Sequence, residues 1–415
     1  MLAEQDFIQN VAILNQDLRR EAWYGTFWHQ FVGEVKVIND PSGRNISIET
    51  TDSPIARLNG FQGSGRDHML IPFQRDLTGD PVLGDTVAKG TGEDQSFYWS
   101  RAYINQVRKV VVAQAGAMSD LRARKLRLIE NAKPKLIKWF SKYLNQNIYR
   151  AVYEAVTTNL SASTAYDGLG LSRRYHPNFY VNNGGVLDAV GTESQFCTAA
   201  QLDTAAASAD TAMTVAILRL FRVKLMNLKV PQIQTKSGYK FWVIVMHPAQ
   251  LAALRGDTDF EGAVDSAFST RRIEHPALNA AQFMIEGFAV YEDIVGIRCW
   301  DNAAGGFYGD DETGPTSVMF EPTVYTDNYC AIAFGPNMLG LAVPEKLSFG
   351  NEVDDFENIK EVAGKIIFGV NRSDFVTEAL AVETASGMFY KNHTGAVVAD
   401  TAATNESSAI LMTKS

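Results

Sequence analysis

Six histidines, three cysteines and a few acidic and glycine-rich runs are the residues of this sequence whose types could carry chemistry. The histidines (His29, His68, His176, His247, His275 and His393) are isolated from one another, whereas a zinc site usually shows at least one close pair of ligands. His247 is the most suggestive, because it ends the apolar run YKFWVIVM, and strand ends are places where a catalytic base can sit. The proline after it and the helix-forming residues that follow favour a structural role in a turn instead. Cys197, Cys299 and Cys330 are far apart and odd in number, the usage of a reducing compartment, with neither a disulfide framework nor a zinc cluster expected. Cys299 and Cys330 lie in apolar, strand-like surroundings, where a cysteine behaves as a small hydrophobe. Asp310, Asp311 and Glu312 are consecutive and lack the alternating ligand spacing of a calcium loop. Two glycine-rich stretches, GFQGSG at 60–65 and GTG at 90–92, do not open a helix after a strand as phosphate loops do. No Gly-x-Ser-x-Gly elbow and no His-Glu-x-x-His pair is present. The expectation is a protein that is not an enzyme, with no catalytic, cofactor-binding or metal-binding residue.

The element around which the rest is arranged spans residues 118–157. From Leu136 its apolar residues (Leu136, Phe140, Leu144, Ile148, Val152 and Val156) recur every four positions, one face of an α-helix. Ser119 offers an N-cap and Asp120 a first-turn acid. A continuous helix here would reach roughly 60 Å. Pro134 predicts a kink or break, with 136–156 as the secure part. This stretch holds nine Lys and Arg against three acids, a net +6, and leaves −15 for the rest of a chain whose net charge is −9. Such a balance excludes general nucleic-acid binding by the whole surface. The basic helix face is expected to pair with acidic neighbours.

With 415 residues, 46% hydrophobic and 20% charged, the chain fits a folded protein of two or three units. No apolar run approaches the roughly 18 residues of a membrane helix, so no membrane partner is expected, and the N-terminal residues do not read as a secretory signal. Residues 1–66 read as an arm: mild helical periodicity over 5–20, then the rings Trp23, Tyr24, Phe27, Trp28 and Phe31, which need a surface to lie against. That surface belongs to a neighbouring subunit or to the chain's own core. Two short strands flank the turn at 39–43. Residues 70–77 and 96–113 read as the strands of a long hairpin with the Gly- and Asp-rich tip TGDPVLGDTVAKGTGED. A two-stranded hairpin is marginal alone and needs outside support.

After the helix, 159–209 reads as a loop-rich excursion with short strands around 179–186. Helical spacing resumes at 211–228, including Leu218, Leu220 and Phe221. A strand at 239–246 and a helix at 249–255 open a mixed unit, followed by strands at 283–291, 295–300, 317–320, 347–356 and 364–370. The tail from 377 is small and polar and reads as a mobile end or a loosely packed extension.

This order of parts, with the stretches IPFQRDLTGDPVLGD, SFYWSRAYINQVRKVVVAQ and YKFWVIVMHPAQLAALRGD, resembles the major capsid proteins of tailed bacteriophages. The resemblance covers most of 60–370. It implies the α+β Hong Kong 97-type capsid fold: an N-terminal arm (1–66), an extended E-loop hairpin (67–115), a peripheral domain with a long spine helix (116–230), an axial domain (231–340), a return to the peripheral domain (341–376) and a C-terminal tail or extension (377–415). It implies self-assembly through pentamers and hexamers into an icosahedral head shell. The partners implied are other copies, a portal, decoration or scaffolding proteins, and double-stranded DNA held by enclosure rather than by sequence. Localisation would be the virion, after assembly in the bacterial host cytoplasm. Contacts between subunits are expected at Trp23 and Trp28 of the arm and at Arg75, Asp80, Asp85, Lys89 and Glu93 of the hairpin. An encapsulin-like compartment and a soluble α+β enzyme are the competing readings.

Overall fold

The structure, a computed structural model, describes residues 26–34, 36–39, 45–49, 53–58, 68–74, 81–84, 97–113, 128–153, 176–191, 197, 199–234, 238–263, 281–294, 296–297, 299–301, 306–307, 328–354, 359–372 and 407–414. A 3-10 turn at Phe27–Phe31 leads into β1 (Val32–Glu34), β2 (Lys36–Asn39), β3 (Asn45–Glu49), β4 (Ile55–Leu58), β5 (His68–Gln74), β6 (Phe97–Tyr103) and β7 (Asn105–Ala113). Helix α1 (Leu128–Tyr153) follows, then β8 (Pro177–Val181), β9 (Leu187–Ala189), α2 (Ala199–Ser208), α3 (Val215–Asn227), β10 (Ile233–Gln234), β11 (Lys240–Met246), α4 (Pro248–Arg255) and the short α5 (Phe260–Ala263). The remaining strands are β12 (Phe283–Ile285), β13 (Phe288–Glu292), β14 (Cys299–Asp301), β15 (Gly306–Phe307), β16 (Asn328–Phe334), β17 (Leu339–Asp354), β18 (Ile359–Arg372) and β19 (Ser408–Lys414).

Among the described residues the strands form two main sheets. One has the order β1-β4-β17-β18-β7. The other runs β12-β13-β11-β16-β19-β8-β9, with β10 beside β11 and with β14 and β15 beside β16. In this larger sheet successive side chains enter different cores, as the two-residue period of a strand requires. Phe241, Val243, Val245, Cys330, Ile332, Phe334, Ile410 and Met412 belong to the core shared with α1 and the five-stranded sheet. Trp242, Ile244, Met246, Ala331, Ala333, Ala409 and Leu411 belong to the core under α3 and α4. A sheet buried on both faces demands continuous apolar runs, which is why YKFWVIVM is the most strand-like stretch of the sequence.

Helix α1 buries the expected ladder of Leu136, Phe140, Leu144, Ile148 and Val152. At 26 residues it is about 39 Å long, shorter than the full stretch allows, and 118–127 lie outside the described residues. The expected break is absent: the helix runs through Pro134. So near the N-terminus a proline removes a single bond and leaves the rest of the ladder intact. The helix packs on β18 and β7, where Gly364 lets the Phe140 ring lie so close that an added Cβ would stand 2.4 Å from it. Its last carbonyls, orphaned at any helix end, are taken up: Arg372 Nη1 donates to Val152 O at 2.6 Å and His176 N–H to Tyr153 O at 2.9 Å.

Three sequence expectations need correction. The tail is not wholly loose, because β19 lies inside the large sheet, antiparallel to β16 and parallel to β8, with Ser408 to Thr413 buried. The excursion at 159–209 contains helix α2. The stretch 283–291 is two strands, β12 and β13, turned at Glu286 and Gly287, both at positive φ. The large sheet also extends beyond 231–340, taking β8 and β9 from before that span and β19 from after it.

Candidate assembly surfaces

The arm's turn at Phe27–Phe31 lies on its own subunit. Trp28 is 0% exposed, with its ring centroid 4.9 Å from that of Tyr149 on α1 and 5.6 Å from that of Phe334 on β16. Phe31 meets Tyr291 at 5.1 Å and Phe334 at 5.4 Å. Rings buried this way contribute about 1.5–3 kcal/mol each. Tyr149 is the hub: its hydroxyl donates to the Asp293 carboxylate at 2.5 Å. Burial, and then the charge of Asp293, raises its pKa well above the ordinary tyrosine range. Gly296 is required beside it, since a Cβ there would stand 1.7 Å from the ring. Trp28, expected at an inter-subunit contact, is thus buried within its own subunit. Trp23 lies outside the described residues.

The two described strands of the hairpin pair with each other. β5 and β6 pair antiparallel from His68↔Tyr103 to Gln74↔Phe97, and among the described residues they form a two-stranded sheet of their own. After Ile104 the chain becomes β7 and joins β18 at the edge of the five-stranded sheet, so the expected strand 96–113 serves two sheets in turn. At the tip, Pro81 to Gly84 are exposed, Leu83 at 76%. Arg75, Asp80, Asp85, Lys89 and Glu93 lie outside the described residues.

The five-stranded sheet is covered by α1 on one face, where Val107, Val362, Ile366 and Phe368 are buried. The opposite face carries exposed Val110 and Arg108, and Arg108 stands directly across from Lys365. Like charges facing across two strands disfavour each other. On α3, the buried stripe Val215, Leu218, Phe221 and Leu225 has an apolar counterpart on the outside: Leu220, Val223 and Met226 are 46%, 54% and 49% exposed. Sequence reading counted Leu220 into the helical spacing of 211–228. The second stripe, spaced by threes at 220, 223 and 226, was the available signal.

His247 is the N-cap of α4. Its Nδ1 accepts from Ala249 N–H at 3.2 Å and its own N–H donates to Gln250 Oε1 at 3.1 Å, the reciprocal arrangement of a capping box. The ring stacks on Tyr329 at 4.1 Å. Burial lowers its pKa, opposed by Asp293 and then Glu292, and the neutral form is the one able to accept that bond. The structural role expected from Pro248 is the one observed. Among the described residues no group of three or more His, Cys, Asp or Glu is placed to hold a metal ion, and no helix is long and apolar enough to cross a membrane.

The family model for phage capsid protein matches residues 37–404. Among solved structures, the capsid of Ralstonia phage GP4 is similar with a TM-score of 0.59 and 16% identity, over 94% of this chain and 91% of that one. The capsid of cyanophage Pam1 follows at 0.55 and 15%, over 93% and 91%. The capsid of Helicobacter pylori bacteriophage KHP30 follows at 0.54 and 12%, over 94% and 92%. At these identities the likeness is one of fold. Curated proteins give no match.

Proposed function

The chain belongs to the phage capsid protein family, and from that premise we propose that its copies close, through pentamers and hexamers, into the icosahedral head of a tailed bacteriophage around packaged double-stranded DNA. Its role is structural and its place is the virion, with assembly in the host cytoplasm and a portal at one vertex. One observation carries the mode of assembly: β5 and β6 form a ribbon with no further strand beside it among the described residues. Such a ribbon is marginally stable alone, and a neighbouring subunit supplies the support.

The chemistry at both ends of that contact is complementary. Residues 75–96 contain five acids (Asp76, Asp80, Asp85, Glu93 and Asp94) against Arg75 and Lys89, with Val82 and Leu83 at the centre. The open face of the five-stranded sheet offers Arg108 and Lys365 around exposed Val110. We assign the hairpin tip of one subunit to that face of the next, apolar centre to apolar centre and acids to cations. Asp80, Asp85 and Glu93 are then contact residues, and the exposed stripe of α3 is a further surface that shell formation covers.

Deleting residues 78–94 tests this reading. The expected result is a folded monomer by circular dichroism that forms no shells in negative-stain micrographs, while the full chain does. Normal shells from the deletion variant would refute the hairpin assignment. A full chain that stays a discrete monomer would refute the shell itself, and shells filled with protein rather than nucleic acid would point to a cargo compartment.

A further inference from the structure

An asparagine followed by glycine can react with its own backbone, because a glycine nitrogen has no Cβ beside it to hold it away from the asparagine side chain. Among the described residues Asn183 is the only asparagine with glycine after it, and Asn59–Gly60 lies outside them. Asn183 and Gly184 form the tip of the turn between β8 and β9, and both are exposed. The turn is closed from its flanks: Gly185 N–H donates to Asn182 O at 3.1 Å and Asn182 N–H to Val186 O at 3.0 Å. Gly184 N–H has no part in either bond. Gly184 sits at φ +136°, and an added Cβ would meet nothing nearer than Asn182 Oδ1 at 3.9 Å, so its surroundings are open. Asn182 is the internal contrast. Its Nδ2 donates to Asp188 Oδ2 at 2.5 Å and its Oδ1 accepts from Val186 N–H at 3.2 Å. A side chain held at both ends cannot turn onto the next nitrogen, and that nitrogen belongs to a residue with a Cβ. Asn178 is held in the same way, 2% exposed with Oδ1 accepting from Ile410 N–H at 3.0 Å.

We propose that Asn183 is a site of spontaneous deamidation in the folded chain, a covalent modification that adds a carboxylate to the β8–β9 turn. Gly184 N gives its proton to hydroxide or a buffer base and bonds to Asn183 Cγ. The Cγ–Nδ2 bond breaks, and Nδ2 takes up a proton and leaves as ammonia. Water then opens the five-membered imide. Opening at Cγ gives aspartate; opening at the Asn183 backbone carbonyl gives isoaspartate, whose chain runs through Cβ and Cγ. In sum, one amide and one water become one carboxylate and one ammonium, with no oxidant or reductant. Each conversion carries the chain one charge beyond its net −9 and sets the new carboxylate in a turn that already holds Asp188. The isoaspartate branch also lengthens the backbone between Asn182 and Gly185 by one atom, which loosens the bond that closes the turn. β9 is an edge strand of the large sheet, so the change stays at the periphery and the cores are untouched. The charge of this turn therefore records the age of a subunit.

The test holds the full-length chain and its Asn183→Gln variant in mildly alkaline buffer for several weeks, with circular dichroism followed throughout. Glutamine is the control because its longer side chain would have to close a six-membered ring, a slow reaction. Fragmentation mass spectrometry places any exchange of –NH2 for –OH at a single residue, isoelectric focusing counts the added charge, and an isoaspartate-specific methyl transfer detects the second product. The expected result is a steady conversion at Asn183 while the fold signal is unchanged, faster as pH rises, with one added negative charge per converted copy and Asn182 intact. The Asn183→Gln chain should lack that band and that product at position 183. An Asn183 amide that survives intact overturns the proposal. So does conversion of Asn182 as fast as that of Asn183, and so does conversion that begins only after the fold signal is lost. Because the site is read directly in the unmodified sequence, a variant that fails to fold leaves the test standing.

Discussion

The C-terminal strand gives the sharpest prediction. Ile410 and Leu411 are adjacent in sequence, fully buried, and committed to different cores on opposite faces of the large sheet. Leu411 stands between Ala331 of β16 and Phe179 of β8, so truncating it leaves a cavity with strands on both sides that cannot close in. Leu411→Ala should cost about 2–5 kcal/mol, and Ile410→Ala about the same. Because the two side chains share no core, the double variant should cost roughly their sum, comparable with the about 5–15 kcal/mol that holds a whole domain together. The control is Lys414→Ala in the same strand. Its ion pair with Asp210, 2.7 Å long with side chains 45% and 52% exposed, should contribute less than about 1 kcal/mol. Urea unfolding of dissociated subunits is the assay, because assembly adds stability by mass action. If Leu411→Ala unfolds within about 0.5 kcal/mol of the parent, β19 is not a central strand and the topology is wrong.

Two further outcomes concern the ends of α1 and its hub. Arg372→Leu removes a buried charged donor from the helix's last turn and should cost about 1.5–3 kcal/mol in the same urea assay; a loss below about 0.5 kcal/mol refutes the capping role. Tyr149 holds its proton in the folded chain beyond the ordinary tyrosine pKa, so its contribution is complete below about pH 10 and is lost as pH rises above that value. Alkaline unfolding curves should therefore steepen above about pH 10 in the parent and less in Tyr149→Phe. Equal slopes in the two proteins would remove Tyr149 as the cause. On the acid side, the lowered pKa of His247 means that its contribution is present above the ordinary histidine range and lost below it, as protonation takes away the acceptor that caps α4.

The elements legible in the sequence are those whose signal is local. The four-residue ladder of α1, the hairpin strands on either side of a glycine-rich tip, and the run from Lys240 to Met246 each announce themselves within a dozen residues, and each is present. What escaped depends on distant partners or on small side chains. β19 is a short apolar run in a Ser- and Thr-rich tail, and only its pairing with β8 and β16, both far earlier in the chain, makes it a strand. Helix α2 buries Leu202, Ala205 and Ala206, a helical stripe written mostly in alanine, which a search for large apolar residues passes over although alanine is the best helix former. Of the expected contact residues, Trp28 is buried in its own subunit; a ring that needs burial does not say in the sequence which subunit buries it.

That ambiguity has a physical resolution here. Rings packed as closely as Trp28, Tyr149 and Phe334 lie in a core already closed by α1 and β16, so the arm's described turn belongs to the folding of one subunit rather than to the joining of two. The groups left outside the cores are of another kind: single exposed apolar residues such as Leu83, Val110 and Val223, set among charges. None is large enough to collapse the free subunit into aggregates, yet each loses water once a neighbour covers it. Lesions in the first set should lower the unfolding free energy before any shell forms. Lesions in the second should leave unfolding unchanged and appear only when many weak contacts must close at once, where a small loss per contact is multiplied over the whole shell.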